Sequence, residues 1–320
     1  MIIIPLIIDI AAFFEISTRD NNDEYNKKRE SIIGSLINNE IPGEYYQKDK
    51  RWKSIKKSLF DSIYTSFGIS SSDTIKFIAK AGRKNNYDFD LQINGLKHKM
   101  EFKYNICTIN EAPQFVSLPK PSQYFDACFE KYFYDNFLNK IAESGNLEMM
   151  DEDIYTTTNC NNKVKCLKKF KELYDTDPKF KNICKKHDKE GIKKYLLESS
   201  LKLETLSNKL IDTQKNKKYI CFKDGKFNIK GVDSNQYRLK EVIKKNNTNV
   251  ICKTESGINL EIRLRFKNGC GLQFPALQIK RKIPTVPELK EIAKKNNIKL
   301  PSRCKKIFIT DKLDQNNIIY

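Results

Sequence analysis

Residues 87–105 read YDFDLQINGLKHKMEFKYN: two alternating runs, Tyr87–Ile93 and Leu96–Tyr104, flank the pair Asn94-Gly95. Asn and Gly both tolerate the positive φ of a type I′ turn, so Asn-Gly between alternating runs is a strong hairpin signal. A two-residue turn sets Ile93 opposite Leu96, Leu91 opposite His98, Asp90 opposite Lys99 and Asp88 opposite Glu101. Side chains alternate across a strand. Asp88, Asp90, Glu101 and Lys103 therefore share one face, while Phe89, Leu91, Met100, Phe102 and Tyr104 face a core. Like charges directly opposite destabilise a strand pair. Asp88 facing Glu101 makes sense with a divalent cation between them; the plainer alternative is a solvated hairpin whose acids and lysines pair at the surface.

Asp88, twelve residues, then Glu101-Phe102-Lys103 resembles the D…(D/E)xK signature of the PD-(D/E)xK nuclease superfamily, the restriction-endonuclease-like fold. The resemblance spans roughly residues 50–145, and its motif is short. In that family the aspartate and the acidic residue of ExK hold Mg²⁺, with Mn²⁺ as a substitute, and the lysine helps activate the attacking water. It implies Asp88, Glu101 and Lys103 as catalytic residues and Asp88, Asp90 and Glu101 as candidate metal ligands. Asp88 and Asp90 compete for one position; the register favours Asp88. No proline precedes either aspartate, a departure from the family pattern.

The 320 residues carry 59 Lys+Arg against 40 Asp+Glu, a net charge of +19. Such an excess points to a polyanionic partner. The abundance of Lys, Asn and Ile fits an AT-rich genome, such as that of a large DNA virus. Nine scattered cysteines form no disulfide framework and imply an intracellular, reducing compartment, cytoplasm or nucleus. Two histidines argue against nuclease classes built on several. The apolar run MIIIPLIIDIAAFF, residues 1–14, is too short to span a bilayer and contains Asp9, so it reads as a buried strand or helix and no membrane is expected.

Upstream of the hairpin, residues 17–32 read as a loop entering a helix near Asn26–Asn38. Trp52, Ile55, Leu59, Ile63 and Phe67 recur at helical spacing until Gly68, and Thr74–Ala81 reads as a strand. Helix, strand, strand, strand is the order in which the resembled nuclease core begins. Downstream, a proline-punctuated loop contains Gln114, and Phe125, Phe129, Tyr132, Phe133, Phe137 and Ile141 define a helix over 122–143 with a core-facing stripe. Residues 161–220 hold 17 Lys+Arg and 8 Asp+Glu and read as a basic helical insertion. Cys160, Cys166, Cys184 and His187 could form a zinc site, but there is no CxxC pair, and four unrelated small residues are the simpler reading. Tyr219–Lys223 is a candidate for the late fourth strand of the nuclease sheet, with Asp224-Gly225 turning into Lys226–Lys230.

Residues 257–282 form a second hairpin, with Ile258, Leu260, Ile262, Leu264 and Phe266 on one face and Glu261, Arg263, Arg265 and Lys267 on the other. Arginines on a rigid strand suit phosphates or guanine edges. Thr285-Val-Pro-Glu288 is a capping box with proline in the first turn. The segment VPELKEIAKKNNIKLPSRCKKIFITDKL resembles a SAP motif, a helix–extended-loop–helix module that binds DNA. It departs in Asn297, where glycine is usual, and in the β-forming Ile307–Thr310. The resemblance implies that Lys299, Ser302, Arg303, Lys305 and Lys306 face phosphates.

The expected chain is α/β. A restriction-endonuclease-like mixed sheet flanked by helices occupies 1–225, with the basic insertion at about 150–215; a basic β-hairpin region covers 226–282 and a SAP-like module 283–320. The expected function is a Mg²⁺-dependent endonuclease acting on double-stranded DNA, with a homodimer compatible with cutting both strands. A non-catalytic DNA-binding or packaging protein and an RNA-processing protein are the alternatives.

Overall fold

The computed structural model describes residues 9–16, 18, 22–80, 85–107, 109–112, 115–158, 165–266, 275–316 and 318. These form ten strands: β1 (Ile75–Ala79), β2 (Phe89–Ile93), β3 (Leu96–Tyr104), β4 (Val116–Leu118), β5 (Lys217–Lys223), β6 (Lys226–Gly231), β7 (Leu239–Lys245), β8 (Asn249–Thr254), β9 (Asn259–Phe266) and β10 (Pro275–Arg281). They make two five-stranded sheets flanked by helices, ordered β1-β2-β3-β5-β6 and β4-β10-β9-β8-β7. Each sheet belongs to its own compact unit. The first unit is Met1–Ala112 with Thr213–Asp233, and the second is Pro113–Asp212 with Ser234–Tyr320.

The units correct the expected boundaries. The inserted segment runs from 113 to 212 rather than from about 150 to 215, and it shares a unit with everything after residue 233. A boundary at 225 would cut the β5–β6 hairpin, whose Lys223 pairs with Lys226 across the Asp224-Gly225 turn. Among the described residues no helix is long and apolar enough to cross a membrane.

In the first unit the Asn94-Gly95 turn has φ of +48° and +85°, and the β2–β3 register runs from Ile93–Leu96 to Phe89–Met100, as the turn dictates. β1 pairs antiparallel with β2, whereas β3 and β5 run parallel, Glu101 beside Tyr219. Phe89, Leu91, Met100 and Phe102 are buried with Ile220, Phe222, Phe227 and Ile229. Trp52, Ile55, Leu59 and Ile63 of the Lys50–Phe67 helix pack into this same cluster. That helix is capped by the Asp49 carboxylate, which accepts the Arg51 N–H at 2.8 Å, and ends at Gly68 in the left-handed region, φ +63°.

The polar stretch before it is helical earlier than expected, from Asn22 to Ile37. Burial supplies the reason. Ile32, Ile33, Leu36 and Ile37 enter the core, and buried Arg29 donates its Nε to the Phe13 carbonyl at 3.0 Å while its guanidinium lies 3.5 Å from the centre of the Tyr104 ring. Tertiary packing of one face outweighs the weak local propensity of Asn and Asp. Of the apolar N-terminal run, residues 1–8 lie outside the described residues; Ala11–Phe14 is a short helix with Phe13 fully buried.

In the second unit β9 is central, bonded to β8 and β10, so the basic hairpin region is part of a larger sheet. Its apolar face meets an aromatic row: Phe266 lies 5.5 Å from Phe129 and 5.3 Å from Phe133, ring centre to ring centre. That row is not one continuous helix over 122–143. Pro121–Tyr124 is a 3₁₀ turn, Phe129–Phe133 is α-helical, Tyr134–Leu138 widens to a π turn, and Asn139–Ser144 resumes the α form. Four-residue spacing at Phe129, Phe133, Phe137 and Ile141 drifts around a helix of 3.6 residues per turn; one wider turn keeps the row facing inward. The basic segment is helical, over Lys165–Thr176, Pro178–Glu198 and Leu203–Gln214. The turn expected at 268–271 and Gln114 lie outside the described residues.

At the C-terminal end, the Val286–Lys295 and Lys306–Gln315 helices pack through Leu289, Ala293, Ile309 and Leu313. Glu288 accepts the Thr285 N–H at 2.6 Å, as a capping box requires. Ile307–Thr310, for all its β-formers, is helical because Ile309 is fully buried in this pair. Asn297 has φ +56°, a conformation glycine adopts freely and asparagine better than most other residues.

Gly34 sits where the Asn22–Ile37 helix crosses Phe77 of β1; a Cβ there would come 2.8 Å from the ring. Gly34→Val should cost about 1–3 kcal/mol by overpacking. Denaturant unfolding checks this, and an unchanged midpoint contradicts the close approach.

Candidate active site on the first sheet

Asp88 lies one residue beyond the last β2–β3 pair. Its N–H donates to the Met100 carbonyl at 2.9 Å, and its Oδ2 accepts the Phe102 N–H at 2.8 Å. The carboxylate is thereby turned back over β3, towards the end that carries Glu101. Glu101 is 8% exposed. Its two oxygens are taken by two ammonium groups: Oε1 by Lys103, and Oε2 by Lys217 at 2.5 Å. The expected trio Asp88, Glu101 and Lys103 is therefore brought together.

Asp90 is not part of it. It is buried and ion-paired with Lys80 at 3.3 Å. The two aspartates differ in their partners: Lys80, just past the end of β1, pairs with the Asp90 carboxylate, while the Phe102 N–H bonds that of Asp88.

Two residues of the cluster went unrecognised. Lys217, at the head of β5, also donates to the Asn86 carbonyl at 3.0 Å. No local pattern reveals it, because its place depends on parallel pairing with a strand more than a hundred residues earlier. Extending the strand read at Tyr219–Lys223 back by two residues would have set Lys217 on the Tyr219 face, though not beside Glu101. Glu30, on the Asn22–Ile37 helix, was hidden by reading that stretch as a loop. Burial raises its pKa to about 7, and the Asp88 charge adds to the rise.

The electrostatics are those of crowded acids partly compensated. Burial and then the Glu101 charge hold Asp88 above the usual carboxylate range, against Lys103, the Phe102 N–H and Lys217. Burial pulls Lys103 down, but Glu101 and Asp88 together outweigh it, and the net is upward. Lys217 goes the other way: burial lowers it, Glu101 only partly restores it, and the Lys103 charge opposes it. Lys103 thus stays a cation suited to holding an anion, and of the two amines Lys217 gives up its proton more readily.

Among the described residues no group of three or more His, Cys, Asp or Glu side chains is arranged to hold a metal ion. A hydrated Mg²⁺ asks for less, one or two carboxylates with water and phosphate completing its shell. Asp88 and Glu101 are the two carboxylates that would serve such an ion; burial and the Glu101 charge hold the Asp88 carboxyl above its ordinary range, and both Glu101 oxygens face lysines. Of the residues considered for zinc, Cys160 and the Cys166 side chain lie outside the described residues, Cys184 is fully buried, and the buried Nδ1 of His187 has no hydrogen-bond partner.

The basic candidates belong to the second unit. Arg263 pairs with Glu261 at 2.9 Å, Lys280 shares that carboxylate at 3.1 Å, and Arg265 donates to Gln278 at 3.3 Å. Lys267 lies outside the described residues. Lys299, Arg303, Lys305 and Lys306 are exposed around the C-terminal helix pair.

Glu30 gives a pH test. Its folded pKa, about 7, lies above the ordinary glutamate value of 4.5. The folded state then holds the proton more tightly, so this contribution is complete below about pH 4.5 and is lost as pH rises through about 7. Glu30→Gln should therefore gain on wild type between those values, by on the order of 1–3 kcal/mol. Urea unfolding at pH 5 and pH 8 measures it; a gap that does not widen at pH 8 contradicts the half-buried, crowded carboxyl.

Compared with known proteins, the chain matches no family model, no curated protein and no solved structure.

Proposed function

We propose that the protein is a Mg²⁺-dependent endonuclease acting on DNA. One observation carries the reading: Asp88, Glu101 and Lys103 converge at one end of a mixed sheet, with Asp88 turned back over β3 by its bond to the Phe102 N–H. The strand plan supports it. A helix leads into the β1–β2–β3 meander, and a late strand, β5, joins parallel to β3, in keeping with a restriction-endonuclease-like core.

Asp88 and Glu101 would hold the ion, with Glu30 close enough for its charge to be felt by both. When bound, the ion would lower the pKa of a coordinated water and offset charge developing on phosphate. Lys103, kept protonated by its carboxylate neighbours, would hold a phosphate oxygen or steady the attacking water. The net charge of +19, the Arg263/Arg265 strand and the SAP-like helix pair with Lys299, Arg303, Lys305 and Lys306 would supply backbone affinity. That affinity would fall with salt by a slope of roughly 0.9 per phosphate contact.

A second reading has an observation of its own. Both Glu101 oxygens are engaged by lysines, as in a structural ion pair of a non-catalytic nucleic-acid-binding protein. Plasmid cleavage separates the two. Wild type with Mg²⁺ should nick or linearise supercoiled DNA and stop on chelation, and Glu101→Gln and Lys103→Ala should each lose about 10²-fold or more. Equal rates in wild type and Glu101→Gln, or no cleavage with Mg²⁺ or Mn²⁺, would leave the binding protein. Single-stranded DNA and RNA in parallel reactions identify the polymer. Separately, replacing Lys299, Arg303, Lys305 and Lys306 by Ala should flatten the salt dependence of duplex binding by up to about 3–4 in log–log slope. An unchanged slope would remove the C-terminal pair from the interface.

A further inference from the structure

The Pro178–Glu198 helix of the second unit has two unlike faces. Its start is capped by Asp177, whose carboxylate accepts the Lys179 and Phe180 N–H groups at 2.7 and 3.3 Å. Phe180, Cys184, Gly191 and Tyr195 lie on the buried side. A Cβ on Gly191 would come 3.0 Å from the Phe133 ring. The Tyr195 ring lies 4.9 Å from that of Phe129, and its hydroxyl donates to the Ala127 carbonyl at 2.6 Å. Contacts this close fix the rotation of the helix about its axis, and so fix what its other side presents.

That other side carries Lys185, Lys186, Lys189 and Lys193, all exposed. On a helix of 3.6 residues per turn the four fall within an arc of about 100° and span about 12 Å. Among the described residues none of them has a carboxylate within ion-pair distance. Of the helix's three acids, Asp188 is buried, Glu190 pairs with Lys194 at 3.0 Å, and Glu198 lies beside Tyr132. Exposed lysines on other helices are treated differently. Lys28, Lys57 and Lys131 each meet a carboxylate at 2.7 Å, and Lys171 meets one at 2.6 Å. Like charges four residues apart, as in Lys185, Lys189 and Lys193, weaken a helix. A polyanion laid along the row turns that repulsion into attraction.

We propose that this lysine row is a nucleic-acid interface that lies along the backbone of a DNA duplex. The lengths match: about 12 Å of duplex axis carries roughly three or four phosphates on each strand, against four lysines in the row. Lysines are point charges on flexible stems, so the row contributes affinity that does not depend on sequence. The proposal rests on the reading of DNA as the partner, and it adds a surface to the β9 arginines and the C-terminal helix pair.

Fluorescence anisotropy of the full chain with a labelled duplex of random sequence, from about 50 to 200 mM salt, tests it. The row variant carries Lys185→Gln, Lys186→Gln, Lys189→Gln and Lys193→Gln. A control removes the same charge from paired positions, with Lys28, Lys57, Lys131 and Lys171 each replaced by Gln. The row variant should flatten the log–log salt slope by roughly 2–4, whereas the control and a variant with Arg at all four row positions should stay within about 1 of wild type. The four single variants, each expected to lower the slope by roughly 0.9, carry the test if the row variant does not fold. A wild-type slope in the folded row variant would overturn the proposal and leave the DNA reading standing. Equal losses in the row variant and the control would also overturn it, since net charge alone would then account for both. Wild-type binding to phosphatidylserine vesicles that the row variant loses, with its duplex binding intact, would assign the row to a membrane surface instead. Wild type that binds no duplex would overturn the proposal and the DNA reading together.

Discussion

The carboxylate of Glu101 is shared between two ammonium groups, one from its own strand and one from the strand that joins it in parallel. A single buried acid among apolar neighbours would be expensive, and an unpaired buried lysine equally so. Each makes the other tolerable, and together they fix where β5 meets β3. Removing one partner of such a pair strands the other, at about 3–5 kcal/mol. The polar end of the first sheet is organised by this constraint. Asp88 is drawn back over β3 by the Phe102 N–H, Asn86 is pinned between Lys217 and Thr213, and Glu30 is left crowded on its helix.

The opposite face of the sheet keeps that polar cluster in place. The Lys50–Phe67 and Asn22–Ile37 helices bury their apolar stripes against the strands, and Arg29 bonds the carbonyls of Phe13 and Glu15. The second unit is a separate construction. An aromatic row supports its central strand, Glu261 gathers Arg263 and Lys280, and a capped helix pair stands on its own small core. Its exposed lysines are single charges on long chains, suited to phosphate rather than to chemistry.

Local signals carried much of this into the sequence. Asn94-Gly95 and the alternation around it specify the turn, the register and the division between polar and core faces. The Trp52 to Ile63 stripe, Gly68 and the Thr285–Glu288 box mark helices and their ends by rules that act within a turn or two. What depends on distant contacts was not legible. Lys217 reaches Glu101 only through parallel pairing after a long insertion, and Glu30 enters only because burial draws the helix start back to Asn22. Asp90 and Asp88 look equivalent in a hairpin; Lys80, in the segment just after β1, tells them apart by pairing with Asp90. The interleaving of the two units follows from strand pairing between segments far apart in the chain, which periodicity does not record.

The central claim is that Asp88 and Glu101 form one cation site. Anomalous scattering from crystals grown with Mn²⁺ tests it most directly. The account predicts a peak within about 2.3 Å of a carboxylate oxygen of each residue, a distance set by the size of such ions. A map with no peak there, and with Glu101 still held by both lysines at saturating Mn²⁺, would contradict it.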